Sequence, residues 1–149
     1  MDDIDRKIIE LLSRDARRSL ADIGSVVDLA PSSVNDRIRR LTASGTIRRF
    51  TVDVEPAAVG MGVLVYVWIA LREDADEAAF RNHAVAHPAI LECHHVTGAW
   101  SYLVKLRIAE MSDIETFLSG LKTKRFLGRS ETVIALSSAV EGAHVLKEA

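Results

Sequence analysis

Apolar residues recur at helical spacing in the first third of the chain and mostly in strand-length runs after it. Ile4, Ile8, Leu11 and Leu12 share one face, which predicts a helix from Asp3 to Ser13. Leu20, Ile23 and Val27 give a second helix, opened by Ser19 as N-cap with Asp22 in a variant of the capping box. Gly24 in its middle weakens it, and close approach of a neighbouring helix would account for the residue. Val34, Ile38 and Leu41 stand at i, i+4 and i+7 of a third helix, with Pro31 at its first position and Gly45 past its end. Val27-Asp28-Leu29 is then a tight turn. Thr46 to Val54 reads as a short strand or wing.

A change of composition follows. Glu55 to Gly62 carries one Pro and two Gly and reads as a linker, which divides the chain into residues 1–54, 55–62 and 63–149. Beyond it, Val63–Arg72 is a strand by its β-branched and aromatic residues. Asp76–His87 is a helix that stops before Pro88. Ile90–Thr97 and Ser101–Ile108 are strands joined at Gly98-Ala99-Trp100 as a hairpin. Ser112 caps a helix whose apolar face is Ile114, Phe117, Leu118 and Leu121, and Glu131–Ser138 is the last strand. The order β-α-β-β-α-β is ferredoxin-like, so the fold class is α+β: a winged helix-turn-helix followed by a ferredoxin-like domain.

The first strand is apolar on both sides: Val63, Val65, Val67, Ile69 and Leu71 on one, Leu64, Tyr66, Trp68 and Ala70 on the other. Two helices can cover only one face of such a sheet. A second copy of the chain is the simplest cover for the other. Its burial is worth on the order of 10 kcal/mol before association entropy, at about 25 cal/mol per Å². An obligate homodimer is expected.

The chain has 149 residues and a formal net charge of −2, which suits one ordinary domain or two small ones and excludes a protein that is basic throughout. The charge is uneven. Arg37, Arg39, Arg40, Arg48 and Arg49 fall between Pro31 and Phe50, against the single acid Asp36. The lone Cys93 rules out an internal disulfide and reads as a small buried hydrophobe. The acidic start has no secretory apolar segment, and the apolar run Val63–Leu71 is far short of the roughly 20 residues that span a bilayer. No membrane association and a cytoplasmic location are expected.

The third helix thus combines a dry back with small polar and Arg side chains in front, which fits a DNA major groove. Pro31, Ser32, Ser33 and Asp36 lie at the end that would enter the groove, with Asn35 at its flank. Asn35 can read adenine and Asp36 can accept from cytosine or hold an arginine; Arg39 and Arg40 can read guanine or grip phosphate. Arg37, nearer the apolar stripe, either reaches phosphate or pairs within the domain. Arg48 and Arg49 would approach the DNA backbone.

Other candidates carry less. His94 and His95 point to opposite faces of a strand and cannot chelate together. His83 and His87 have metal-compatible spacing but no acidic or thiol companion, and read as a solvent-facing pair. Lys122-Thr123-Lys124-Arg125 reads as a solvated helix end. No nucleophile–base order, phosphate loop or paired carboxylates stand out, so neither catalysis nor a cofactor is expected.

Taken together, the two halves resemble the Lrp/AsnC (feast/famine) transcriptional regulators over essentially the whole length. Asp3-Ile4-Asp5-Arg6-Lys7-Ile8-Ile9-Glu10-Leu11-Leu12 is similar to that family's first helix. Asp15-Ala16-Arg17 resembles its turn, Val34-Asn35-Asp36-Arg37-Ile38-Arg39-Arg40-Leu41 its recognition helix, and Gly45-Thr46-Ile47 the continuation. His95-Val96-Thr97-Gly98 with Tyr102-Leu103 resembles the effector-domain hairpin. The resemblance implies a sequence-specific regulator that binds double-stranded DNA as a dimer, tetramer or octamer, tuned by an amino acid at Gly98, Ala99, Trp100, Ser101 and Tyr102. Two positions depart from the helix-turn-helix pattern: Ala30 replaces a capping Ser or Thr, and Asp28 stands where Gly is frequent. The loop also lacks acids at Ala99 and Ser101, which disfavours a cationic effector such as lysine. Trp100 and Tyr102 would then enclose an apolar or aromatic side chain, or pack an interface. The alternative is a small-molecule-sensing interaction protein with weak or no DNA binding.

Overall fold

The computed structural model describes residues 1–140 as two compact units, residues 1–53 and residues 54–140. Residues 141–149, the end of the expected second domain, lie outside the described residues.

The first unit is three helices: α1 (Asp3–Arg14), α2 (Leu20–Val27) and α3 (Pro31–Ala43). Each begins where local chemistry directs. Asp2 and Asp5 form a reciprocal capping box at α1, and the Ser19 side chain accepts from the Asp22 N–H at α2. The Asp22 carboxylate does not return to the Ser19 backbone; it pairs with Arg18, so only half the predicted box is present. Ala30 leaves α3 without a side-chain cap, and Pro31 opens it. Asp28 ends α2 at φ +54°, the left-handed conformation the turn requires. Ile8, Leu11, Ile23 and Val34 form the buried core, flanked by Ile4, Leu12, Leu20, Val27, Leu29 and Ile38.

Gly24 is explained chiefly by backbone, with the α3 side chain of Val34 also in contact, 3.7 Å from a Cβ placed there. A Cβ there would collide with the Leu29 carbonyl oxygen, so the turn folds directly onto α2. Residues 46–54, read as a short strand or wing, contain no strand. An isolated strand leaves its ladder groups unpaired, and none of the described strands pairs with this segment. It is anchored at its start, where the Ile47 N–H donates to the Leu41 carbonyl at 3.0 Å and the Thr46 and Ser44 hydroxyls lie 3.0 Å apart.

The second unit opens with a 3-10 turn at Pro56–Val59. Then come β1 (Val63–Leu71), α4 (Glu77–Ala86), β2 (Ile90–His95), β3 (Tyr102–Ile108), α5 (Ser112–Thr123) and β4 (Leu127–Ile134). The strands form one antiparallel sheet in the order β2-β3-β1-β4. Phe80 of α4 with Phe117 and Leu121 of α5 cover Val65, Val67, Ile69, Tyr102, Val104 and Leu106. The opposite face carries Leu64, Tyr66, Trp68 and Ala70, beside Leu103, Lys105 and Arg107 of β3 and Arg129, Glu131 and Val133 of β4. The buried residues of α4 and α5 join the core on the other face; on this one Leu64 is buried while Tyr66, Trp68 and Ala70 are half-buried.

The largest departures from the expected boundaries are at β4 and α5. β4 begins at Leu127, not Glu131, and ends at Ile134, not Ser138. Its early start passes through a bulge: Leu127 pairs with Leu71 and Arg129 with Ala70, leaving Gly128 unpaired between them. A Cβ on Gly128 would come within 3.1 Å of the Ala70 and Leu71 carbonyl oxygens. Ser112 is the first residue of α5, not its cap; Met111 holds that position without a side-chain bond. The Asp113 carboxylate instead accepts from the Ala109 and Glu110 N–H groups at 3.2 and 3.0 Å.

Candidate DNA-binding helix and effector loop

The dry side of α3 is buried through Val34 and Leu41, with Ile38 packed beside them. Its other side chains divide into one that is tied and several that are free. Arg37 Nη1 donates to Asp2 Oδ2 and to Asp5 Oδ1, both at 2.7 Å. Arg37 therefore takes the pairing role within the domain and clamps α3 to the start of α1. Hydrogen bonding from Arg37 is the chief cause that holds both carboxyls below their ordinary range and raises the guanidinium above its own. Ser32, Ser33, Asn35, Asp36, Arg39 and Arg40 make no side-chain hydrogen bond or ion pair among the described residues, nor do Arg48 and Arg49 in the following segment.

The loop between β2 and β3 sits at the rim of the sheet. Gly98 has φ +99° with open space around its α-carbon, so its N–H is approachable. Ser101 is engaged within the sheet: its N–H donates to the Ile69 carbonyl at 2.8 Å, and its hydroxyl accepts from the Leu71 N–H at 3.1 Å. Trp100 lies on the side of the sheet away from the helices. Its ring is 6.5 Å from that of Trp68, and the Arg129 guanidinium lies 4.2 Å above it. Arg129 also donates to the Ala99 carbonyl at 2.7 Å.

Tyr102 faces the other way. It is buried against Phe80, donates its hydroxyl to Glu77 at 2.5 Å and accepts from Arg81 Nε at 2.7 Å. Burial, followed by the bond to Glu77, pushes its hydroxyl pKa up. Trp100 and Tyr102 thus touch opposite faces of one sheet, and within one chain they cannot enclose the same ligand. Sequence reasoning missed Arg129. Its signal was the preceding Gly128, since an isolated Gly in a strand marks a bulge that re-aims its neighbour.

Three lesser readings are also resolved. His83 and His87 are half-buried rather than fully solvent-facing: their rings are 5.5 Å apart, His83 packs on Phe126 and His87 on Phe117. Burial lowers both pKa values. Cys93 packs against the sheet core as a small hydrophobe, and burial raises its thiol pKa. Arg125, in the basic run after α5, is committed to Asp74 at 2.7 Å. Among the described residues, no group of three or more His, Cys, Asp or Glu could hold a metal ion, and no helix is long and apolar enough to cross a membrane.

An AsnC-type helix-turn-helix domain matches residues 1–42, and an Lrp/AsnC ligand binding domain matches residues 64–145. The chain belongs to the Lrp/AsnC family of transcriptional regulators. It is 32% identical over 136 residues to the HTH-type transcriptional regulator FL11 of Pyrococcus furiosus, covering 91% of this chain and 89% of that one. It is 34% identical to the leucine-responsive regulatory protein of Salmonella typhimurium over 75% of this chain and 70% of that one. The structure of LrpC from Bacillus subtilis superposes with a TM-score of 0.84 at 27% identity, over 95% of this chain and 99% of that one. These relatives favour a DNA-binding regulator over the small-molecule-sensing alternative.

Proposed function

We propose that this regulator binds roughly palindromic operators as a dimer or a larger even assembly, through residues 1–54, with residues 63–149 serving effector binding and self-association and residues 55–62 joining them. The observation that carries the reading is the division of α3. Its apolar side is consumed by the core, while Ser32, Ser33, Asn35, Asp36, Arg39 and Arg40 have no partner among the described residues. Pro31 presents that end, the small polar residues read base edges, and Arg39, Arg40, Arg48 and Arg49 supply base contact and phosphate grip. Arg37 contributes by holding α3 in place. Arg39→Ala is expected to weaken operator binding about tenfold or more at fixed salt, with little change in melting temperature. Unchanged affinity in a gel-shift titration would overturn the assignment. Arg48→Ala is expected to weaken all sequences alike and lower the salt slope by about one.

The self-associating surface is the sheet face of Leu64, Tyr66, Trp68, Ala70, Leu103 and Val133, seated on a second copy. Gly98, Ala99, Trp100 and Ser101 border the effector site, while Tyr102 supports the loop from behind. The effector is an amino acid with an apolar side chain. This draws support from the leucine-responsive relative and from a loop that holds a tryptophan and no acid. A thermal-shift series with the twenty amino acids tests it; no shift at millimolar concentration would remove amino acids as the effector class. The regulator acts in the cytoplasm.

A further inference from the structure

Two imidazoles, used by neither the DNA-binding helix nor the effector loop, sit between α4 and its surroundings. His83 lies in α4, and His87 is the residue that caps its C-terminal end. Their ring centroids are 5.5 Å apart. His83 rests on Phe126, just before β4, at 5.8 Å, and His87 on Phe117 of α5 at 5.3 Å.

The corner after α4 depends on the protonation of one of them. The Ala89 N–H donates to His87 Nδ1 at 3.2 Å, and an imidazole nitrogen accepts only while it carries no proton. The fold therefore holds His87 as the neutral tautomer with its proton on Nε2. The His87 carbonyl accepts from the Ile90 N–H at 3.1 Å, and the Ala89 carbonyl accepts from the Arg107 N–H at 3.0 Å. This corner thus carries the chain from α4 into β2 and against β3. A proton on His87 Nδ1 would turn one N–H toward another, and the Ala89 amide would lose its acceptor.

The charged groups around the pair give it no counter-ion. On α5, Asp113 is engaged by the Ala109 and Glu110 N–H groups, and Lys124, past the end of that helix, adds a positive charge near His83. In the loop before α4, Asp74 is held by Arg72 and Arg125, and Asp76 accepts from the Ala79 N–H. Arg107 of β3 lines the same cleft as both histidines. Neither histidine has an ion pair among the described residues. Burial lowers the pKa of both rings, and for His83 the charges of His87 and Lys124 lower it further.

We propose that the seam of α4 with α5 and β3 is an acid-sensitive latch: it is shut while both imidazoles are neutral, and proton uptake by His83 and His87 frees the end of α4 and the Ala89 amide. Because the folded chain favours the neutral rings, the opened chain binds more protons below the ordinary histidine value of 6.5. The latch is at full strength above about pH 7 and weakens as pH falls through that value. The weakening ends once the rings are protonated in the shut form as well.

The test uses the full-length protein with its histidines labelled at Cε1, and His83→Gln and His87→Gln assign the two signals. In the wild type both titration midpoints should lie below 6.5. Hydrogen exchange of residues 87–92, corrected for the intrinsic rate, should speed up between pH 7.5 and 5.5. It should not do so in His87→Gln, whose side-chain oxygen can accept from Ala89 at every pH. Calorimetry at pH 6 in buffers of different ionisation enthalpy should show the sheet unit taking up protons as it unfolds. The double Gln variant should take up fewer, by as much as about two per chain. A midpoint at or above 6.5 for either ring overturns the proposal. So does equal proton uptake by wild type and double variant. Low midpoints with unchanged exchange at 87–92 would show two buried rings and no latch. If the double variant fails to fold, the wild-type midpoints and exchange decide between these outcomes on their own.

Discussion

The outer face of α3 is polar, whereas the outer face of the sheet is largely apolar. The outer side of α3 offers Ser32, Asn35, Asp36 and Arg39, groups that water solvates at no cost and that a nucleic acid can recruit. The outer side of the sheet offers Tyr66, Trp68 and Val133, which water solvates poorly. The same chain therefore leaves one surface suited to a charged partner and another suited to a copy of itself. The contrast also extends to how each unit is held. Twelve buried residues form the sheet unit's core, whereas four form the central core of the helical unit, which adds the Arg37 clamp on Asp2 and Asp5.

The largest expected effect comes from reversing the character of the sheet face. Trp68→Glu places a charge amid the apolar patch, and sedimentation velocity should show a monomer at micromolar concentration with the far-UV spectrum preserved. An unchanged assembly would move the interface elsewhere. Ile23→Ala should cost the helical unit about 2–5 kcal/mol by leaving a cavity in its small core. Calorimetry should show that unit's transition falling by ten degrees or more while the sheet unit's stays in place. A common shift of both would mean that the units unfold as one.

The Arg37 clamp gives a smaller, pH-dependent effect. The Asp2 and Asp5 carboxyls are depressed in the folded chain, so their contribution is complete above their unfolded values, near pH 4, and is lost as pH falls through the depressed ones. Arg37→Ala should lower the helical unit's melting temperature at neutral pH by less than Ile23→Ala does. It should also flatten the decline on acidification below about pH 5. The same slope in both proteins would show the clamp to be without consequence. The smallest effect is a gain. Ala30 has the extended backbone of an N-cap and no side chain to use it, so Ala30→Ser should add about 0.5–1 kcal/mol.

Much of this was legible in the chain because the signals are local. Ser19, Pro31 and Gly45 act on their own neighbours, and the periodicities of α1, α3 and β1 name their buried faces without reference to the rest of the fold. What was not legible depended on distant partners. The segment at 46–54 has strand composition but no strand beside it, and composition does not supply one. The β4 start was hidden because Gly128 and Arg129 look like turn residues until Ala70 and Leu71 are known to lie opposite. Trp100 and Tyr102 are two apart in sequence, a spacing that puts residues on one side of a strand. Trp100 belongs to the loop instead, and its side is set by Trp68 and Arg129. His83 and His87 looked solvated because Phe117 and Phe126 are thirty residues or more away in sequence.

The contact beneath Gly24 has a consequence for how such a regulator can change. With the Leu29 carbonyl seated on the α2 backbone, the direction in which α3 leaves the turn is set by main chain and by a residue with no side chain. The outward residues of α3 take no part in that fit. They form an interchangeable reading head in a fixed socket, so new operator preferences can be selected by exchanging Ser32, Asn35, Asp36 or Arg39 one at a time without re-aiming the helix.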